Sequence, residues 1–242
     1  MNNTAQSIYT IAYNVQIARQ VYRMRLIGDT SYIETPGQFA NVNIDGLFLR
    51  RPISIADSDG FGLDIIYKTV GEGTTRLSRM KTGDTLDALV GLGSGYDSKT
   101  SKRPLLIGGG VGVPPLFGLA KRFVKAGIKP KAILGFQAEE DVILASELRA
   151  LGCETVVTLD ANGKRVTDAL PEVMGECDEY FACGPIPMLK AVFYACPLPG
   201  QLSLEARMAC GLGLCQGCSS SDVRGQRICV NGPVFPKEEL AW

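Results

Sequence analysis

Histidine is absent from all 242 residues. That removes Ser–His and Cys–His nucleophilic pairs, every His-ligated zinc site and the Rieske type of iron–sulfur centre. An excess of either charge is absent too, since 25 Lys and Arg balance 25 Asp and Glu. Nothing in that balance marks nucleic acid or an anionic membrane as a partner. The longest apolar stretch, "PLLIGGGVGVPPLFGLA", is interrupted by glycine and proline and is too short to span a bilayer. The start, "MNNTAQSIYTIAYN", lacks a basic segment followed by an apolar core. No signal peptide is expected, and the expected location is the cytoplasm. There, eight cysteines read as thiols or metal ligands rather than as disulfides.

What is present is the composition of a globular protein, 45% hydrophobic and 21% charged. Residues 1–100 carry short β-branched or aromatic runs separated by Gly, Pro, Asn and Asp: "SIYTIAYNVQ", "VYRMRLIG", "QFANVNI", "FLRRPISIAD" and "LDIIYKTV". Strands at this spacing predict a small antiparallel β-barrel. The polar joint "DSKTSKR" follows. From residue 101 to 199 strands alternate with helices, "PLLIGGG", "PPLFGLAKRFVKAG", "KAILGFQ", "VILASELRALG", "ETVVTLD", "VTDALPEVM", "EYFACG" and "IPMLKAVFYA". That alternation predicts a doubly wound parallel sheet in an α/β domain. Residues 200–242 form a glycine-rich tail too short to build a core unaided.

Three stretches carry chemistry. In "LIGGGVGVPPL" a strand runs into Gly108, Gly109, Gly110 and Gly112, and a helix opens directly afterwards. Such a turn lets backbone N–H groups and a helix N-terminus meet a phosphate, although a plain tight turn reads the same way. Glu139 and Glu140 after the next strand favour the free ribose hydroxyls of NAD over the 2′-phosphate of NADP; acids before a helix also suit its dipole. "RRPISI", with "IYK" and "GEGTTRLS" downstream, offers guanidinium and backbone donors for a diphosphate, or simply a solvated strand end. In the tail, Cys210, Cys215 and Cys218 have the spacing C-x4-C-x2-C, and Cys229 follows. That is the plant-type pattern for a [2Fe–2S] cluster, with glycines that let the backbone wrap it. Structural zinc, which prefers two C-x2-C knuckles, and inert buried thiols are the alternatives. Cys153, Cys177 and Cys196 read as ordinary small residues, whereas Cys183 stands at the end of a parallel strand, where ligands bind.

With these residues assembled, the chain resembles the ferredoxin–NAD(P)⁺ reductase superfamily over most of its length. Within it the closest resemblance is to the electron-transfer subunits of B-type dihydroorotate dehydrogenases. The resemblance implies that Arg51, Pro52, Ile53 and Ser54, then Ile66, Tyr67 and Lys68, and Gly73 and Thr74, cradle FAD. It implies that Gly108, Gly109, Gly110 and Gly112 line an NAD site together with Cys183, Gly184 and Pro185, and that the four tail cysteines ligate [2Fe–2S]. Two departures stand out. Ile53 replaces the aromatic residue of the usual Arg-x-Tyr-Ser, which leaves Tyr67 as the candidate to stack on the flavin. Val90-Gly91-Leu92-Gly93 replaces the common Gly-Pro-Leu-Gly.

The implied activity is relay of electrons, in pyrimidine biosynthesis, from an FMN-containing dihydroorotate-oxidising subunit through the cluster and FAD to NAD⁺. The implied assembly is a heterotetramer of two plus two. Hydride exchange requires stacking and orientation rather than a protein acid or base, so no catalytic side chain is expected. The rival readings are a stand-alone reductase, a subunit of a hydrogenase or electron-bifurcating complex, and a zinc-containing redox-sensing binding protein.

Overall fold

A computed structural model describes residues 4–242. Among these, six strands close an antiparallel barrel: β1 (Ala5–Ala18), β2 (Val21–Ile27), β3 (Phe39–Val42), β4 (Arg51–Asp59), β5 (Gly62–Lys68) and β6 (Thr85–Leu92), in the order β1-β2-β5-β4-β3-β6. Alternate residues point inward, so Tyr9 and Ile11, Met24 and Leu26, Ala40 and Val42, Leu63, Ile65 and Tyr67 share one core. Strand β6 was not among the runs read from the sequence. Its Leu86, Ala88 and Val90 fill the same core, and it pairs with both β1 and β3 to close the barrel. A short helix, α1 (Glu72–Leu77), connects β5 to β6 and buries Leu77.

The second sheet contains β7 (Pro104–Gly109), β8 (Lys131–Phe136), β9 (Glu154–Leu159), β10 (Glu179–Cys183), β11 (Gly200–Ser203) and β12 (Val234–Pro236), in the order β12-β11-β10-β7-β8-β9. All neighbours are parallel except β12, which runs antiparallel to β11. Helices α2 (Val113–Lys125), α3 (Ala145–Ala150), α4 (Val166–Val173) and α5 (Ile186–Ala195) cover its faces. The strands alternate between two cores. Leu105, Ile107, Ile133, Tyr180 and Ala182 lie with α4 and α5, while Leu106, Ala132, Leu134 and Phe181 lie with α2 and α3. Helix α3 is shorter than "VILASELRALG" suggested. Leu144, just before the helix, takes a left-handed conformation (φ 60°), which delays the helix start to Ala145 and lets Ile143 and Leu144 turn into the core.

The tail leaves β11 and returns as β12, so both ends of the cysteine segment are anchored at one edge of the parallel sheet. Strand β11 lies beyond residue 199, so the sheet draws its edge from the expected tail. Between the two strands, Cys218, Val223, Ile228 and Cys229 pack with Leu204, Phe235 and the barrel residues Phe39 and Leu92. The barrel and the sheet are further tied by Arg19, whose Nε and Nη2 donate to Asp141 at 3.1 and 2.7 Å. Lys121 of α2 pairs with Asp57 of β4.

Candidate cofactor and cluster sites

Two adjacent arginines stand at the start of β4, Arg50 just before it and Arg51 as its first residue, and their environments differ. Arg50 is committed to Asp87, with contacts of 3.1 and 2.7 Å. Among the described residues Arg51 donates only to the backbone carbonyls of Leu49 and Arg50. Its guanidinium lies against α1, because a Cβ on Gly73 would come within 2.6 Å of Arg51 Nε. The fold thus brings Arg51 and Gly73 together across 22 positions of sequence. Thr74 shapes this turn by accepting at Oγ1 from the backbone N–H groups of Val70 (2.9 Å) and Gly71 (3.3 Å). A cation without a carboxylate partner among the described residues, beside a glycine that permits close approach, fits the diphosphate of FAD.

Strand β5 corrects one expectation. Tyr67 is 3% exposed, its ring is stacked on Tyr22 with centroids 5.9 Å apart, and its hydroxyl donates to Asn14 Oδ1 at 2.9 Å. Burial and the neighbouring Tyr22 hold the phenol well above its ordinary pKa, although Asn14 opposes this. A ring enclosed by protein on this scale has no face to offer a flavin. Ile66 is buried against the α2 core and Ile53 inside the barrel. These three side chains are therefore framework, leaving β5 its backbone and the half-buried Lys68. Period-two alternation with Leu63 and Ile65 is the sequence signal that places Tyr67 inside.

At the second sheet, chain connectivity reverses direction between β7 and β10, which defines the crevice where ligands of such sheets bind. The turns after these two strands touch. A Cβ on Gly112 would lie 2.6 Å from Gly184 N, and one on Gly109 would lie 3.1 Å from Pro185 Cδ. The four glycines and the Cys183-Gly184-Pro185 turn therefore form one surface at the N-terminus of α2, which fits a dinucleotide pyrophosphate. Burial pushes the Cys183 thiol up to about 12 against hydrogen bonds from Ser203 and Tyr96. It is neutral at physiological pH and is no nucleophile. Of the acids after β8, Glu140 and Asp141 are engaged by Arg19, and Glu139 is exposed.

The cysteines of the tail come together as two pairs. Cys210 interacts with Cys215, and Cys218 with Cys229; Cys229 also senses the charge of Cys210. Gly211 and Gly213 adopt positive φ (68° and 81°), which bends the backbone so that N–H groups turn toward sulfur. Leu212 N donates to Cys210 Sγ, Gly217 N to Cys215 Sγ and Cys229 N to Cys218 Sγ, each at 3.4 Å. Burial opposes ionisation of Cys210, but the N–H groups of Leu212, Cys215 and Leu214 prevail and bring its thiol down to about 6. Burial and Cys218 push the Cys229 thiol up to about 12. Two linked thiol pairs suit two irons better than one zinc, which gathers all four ligands about one point. Two residues outside the motif hold the loop, and sequence spacing carries no sign of either. Arg227 Nη1 donates to Gly213 O at 2.6 Å, and Asn41 Nδ2 of β3 to Cys210 O at 3.4 Å.

A barrel with a phosphate-fitting arginine, a parallel sheet with a dinucleotide crevice and an added cysteine loop define an iron–sulfur oxidoreductase subunit of the ferredoxin–NADP reductase type. The solved structure of the NADH-dependent reduced ferredoxin-NADP oxidoreductase, determined for flavin-based electron bifurcation, superposes with a TM-score of 0.87 at 29% identity, covering 98% of this chain and 90% of that one. The pattern of the iron–sulfur cluster binding domain of dihydroorotate dehydrogenase B matches residues 205–241. The dihydroorotate dehydrogenase B (NAD(+)) electron transfer subunit of Fusobacterium nucleatum is 44% identical over 245 residues, spanning 93% of this chain and 95% of that relative. The corresponding subunit of Bacillus pumilus is 39% identical, spanning 96% of both chains. The chain belongs to this family of dihydroorotate dehydrogenase B electron-transfer subunits. FAD, an iron–sulfur cluster and NAD are the cofactors that its fold and residues fit.

Proposed function

We propose that this chain carries electrons from a separate FMN-containing subunit that oxidises dihydroorotate to NAD⁺, within a cytoplasmic two-plus-two heterotetramer. The observation that carries the reading is the pair of linked thiol pairs in a loop packed against the barrel strand next to the Arg51–Ser54 segment. When bound, FAD interconverts paired and single electrons, the cluster carries them singly and NAD takes them as hydride. The chain's own residues bind and orient. Arg51 and the turn at Gly73 hold a diphosphate, while Gly108 to Gly112 and Gly184 admit a dinucleotide backbone at the mouth of β7 and β10. Cys183, kept neutral, shapes that mouth without reacting. Cys210, Cys215, Cys218 and Cys229 hold the cluster. Cys215 is exposed, and around it Leu214 (82% exposed), Leu212 and Val230 present apolar surface, as a docking face for the FMN subunit requires.

The test is to purify the chain anaerobically with its associated subunit and to supply dihydroorotate and NAD⁺. NADH formation is expected, with FMN, FAD and iron all present in the complex. A complex holding all three that forms no NADH would overturn the reading. The 29% identity to the bifurcating oxidoreductase favours a second reading, a subunit that exchanges electrons with ferredoxin. A partner that lacks dihydroorotate oxidation but reduces ferredoxin would select it.

A further inference from the structure

Asn41 is fully buried, yet its Oδ1 is one of two buried side-chain polar atoms without a hydrogen-bond partner among the described residues. A buried, unsatisfied acceptor costs about 1–3 kcal/mol, which an apolar residue of the same size would avoid. The position of Asn41 gives that cost a context. On β3, Ala40 and Val42 face the barrel core while Phe39 packs outward with the tail, so alternation sends Asn41 outward as well. Its register partner on β4 is Pro52, and that of Phe39 is Ser54. Asn41 therefore stands on the same outer face as the flavin-binding segment. From there Nδ2 donates to the carbonyl of Cys210, and Gly211, at φ 68°, approaches so closely that a Cβ would lie 2.6 Å from Nδ2.

We propose that Asn41 is a positioning residue that fixes the Cys210 side of the cluster loop against the flavin-binding strand and so sets electron exchange between cluster and flavin. The inference rests on the relay reading above. It assigns a role in the electron path to a residue of the barrel that ligates neither group.

The test uses the holoprotein and two variants that both lose the donor to Cys210, Asn41→Leu with an apolar side chain of similar size and Asn41→Asp with the same shape. FAD and iron contents are measured first, then flavin reduction by NADH and the subsequent cluster reduction by stopped flow, with the EPR spectrum of the reduced cluster. Both variants are expected to keep FAD and iron, to reduce flavin at the parental rate, and to slow cluster reduction by roughly tenfold, as a small misplacement of exchanging centres does. An altered EPR spectrum is expected to accompany the slowing. Parental rates and an unchanged spectrum in both variants would overturn the inference. Loss of iron from both would also overturn it, since Asn41 would then only hold the loop folded. A parent protein that binds no cluster would instead remove the relay reading itself.

Discussion

Gly112 leaves no room for a methyl group, because its Cβ would sit 2.6 Å from the backbone nitrogen of Gly184. Gly112→Ala is expected to separate the two turns of the dinucleotide crevice and to destabilise the fold by about 1–3 kcal/mol, the cost of overpacking. A raised KM for NADH with flavin and iron content retained checks this; a parental KM would refute it. Cysteine offers a sharper contrast. Cys215→Ser is expected to lose or destabilise the cluster, read as iron content and visible absorption, whereas Cys177→Ser, in a helix–sheet core, is expected to keep its iron. The cysteine pattern is legible because three of its members fall within one loop, where spacing alone implies proximity. Tyr67 was misread because its aromatic character suggested stacking, while the alternation of its strand had already assigned it to the barrel interior.

Elements were legible where their patterning was local. The alternation of strand and helix beyond residue 104 follows from runs that each bury one face. Strand β6 escaped notice because Asp87 and Gly91 dilute its alternation, and only its pairing with both β1 and β3 reveals it as the closing strand. A comparable dependence on distant groups holds the joint between barrel and sheet. Asp178, just before β10, accepts from Ser101 Oγ at 2.6 Å and from the backbone N–H groups of Lys102 and Arg103 at 2.9 and 3.0 Å. Partial burial opposes ionisation, but these donors hold its carboxyl below the ordinary range. Because its pKa is lower folded than unfolded, the contribution is complete above the unfolded value and is lost as pH falls through the folded one. Asp178→Asn is expected to cost about 1 kcal/mol at neutral pH, reduced by the side chain's partial exposure. The difference between parent and variant at neutral pH should fade at an acidic pH low enough to protonate the folded carboxyl. Chemical denaturation at both pH values measures it, and a difference independent of pH would contradict the assignment.

At the scale of the whole molecule, the cysteine segment depends on the rest. Between β11 and β12 it contributes few large apolar side chains, chiefly Val223 and Ile228, to a core otherwise supplied by the sheet and barrel. Cluster ligation is therefore expected to supply much of its folding free energy. Removing iron is expected to open residues 205–232 to limited proteolysis while the barrel and the parallel sheet stay intact, as mass mapping of the first cuts would show. The same digestion pattern with and without iron would mean that the loop folds unaided. The sequence by itself determined the cysteine spacing, the two glycine-bearing turns and the alternation of strands and helices between residues 104 and 195, because each depends on residues close in the chain. Only the tertiary structure decided the barrel closure, the meeting of Arg51 with Gly73 and of Gly112 with Gly184, the burial of Tyr67, and the approach of Asn41 to the cluster loop. Those contacts join residues far apart in the chain, and the packing of barrel, sheet and tail against one another selects them.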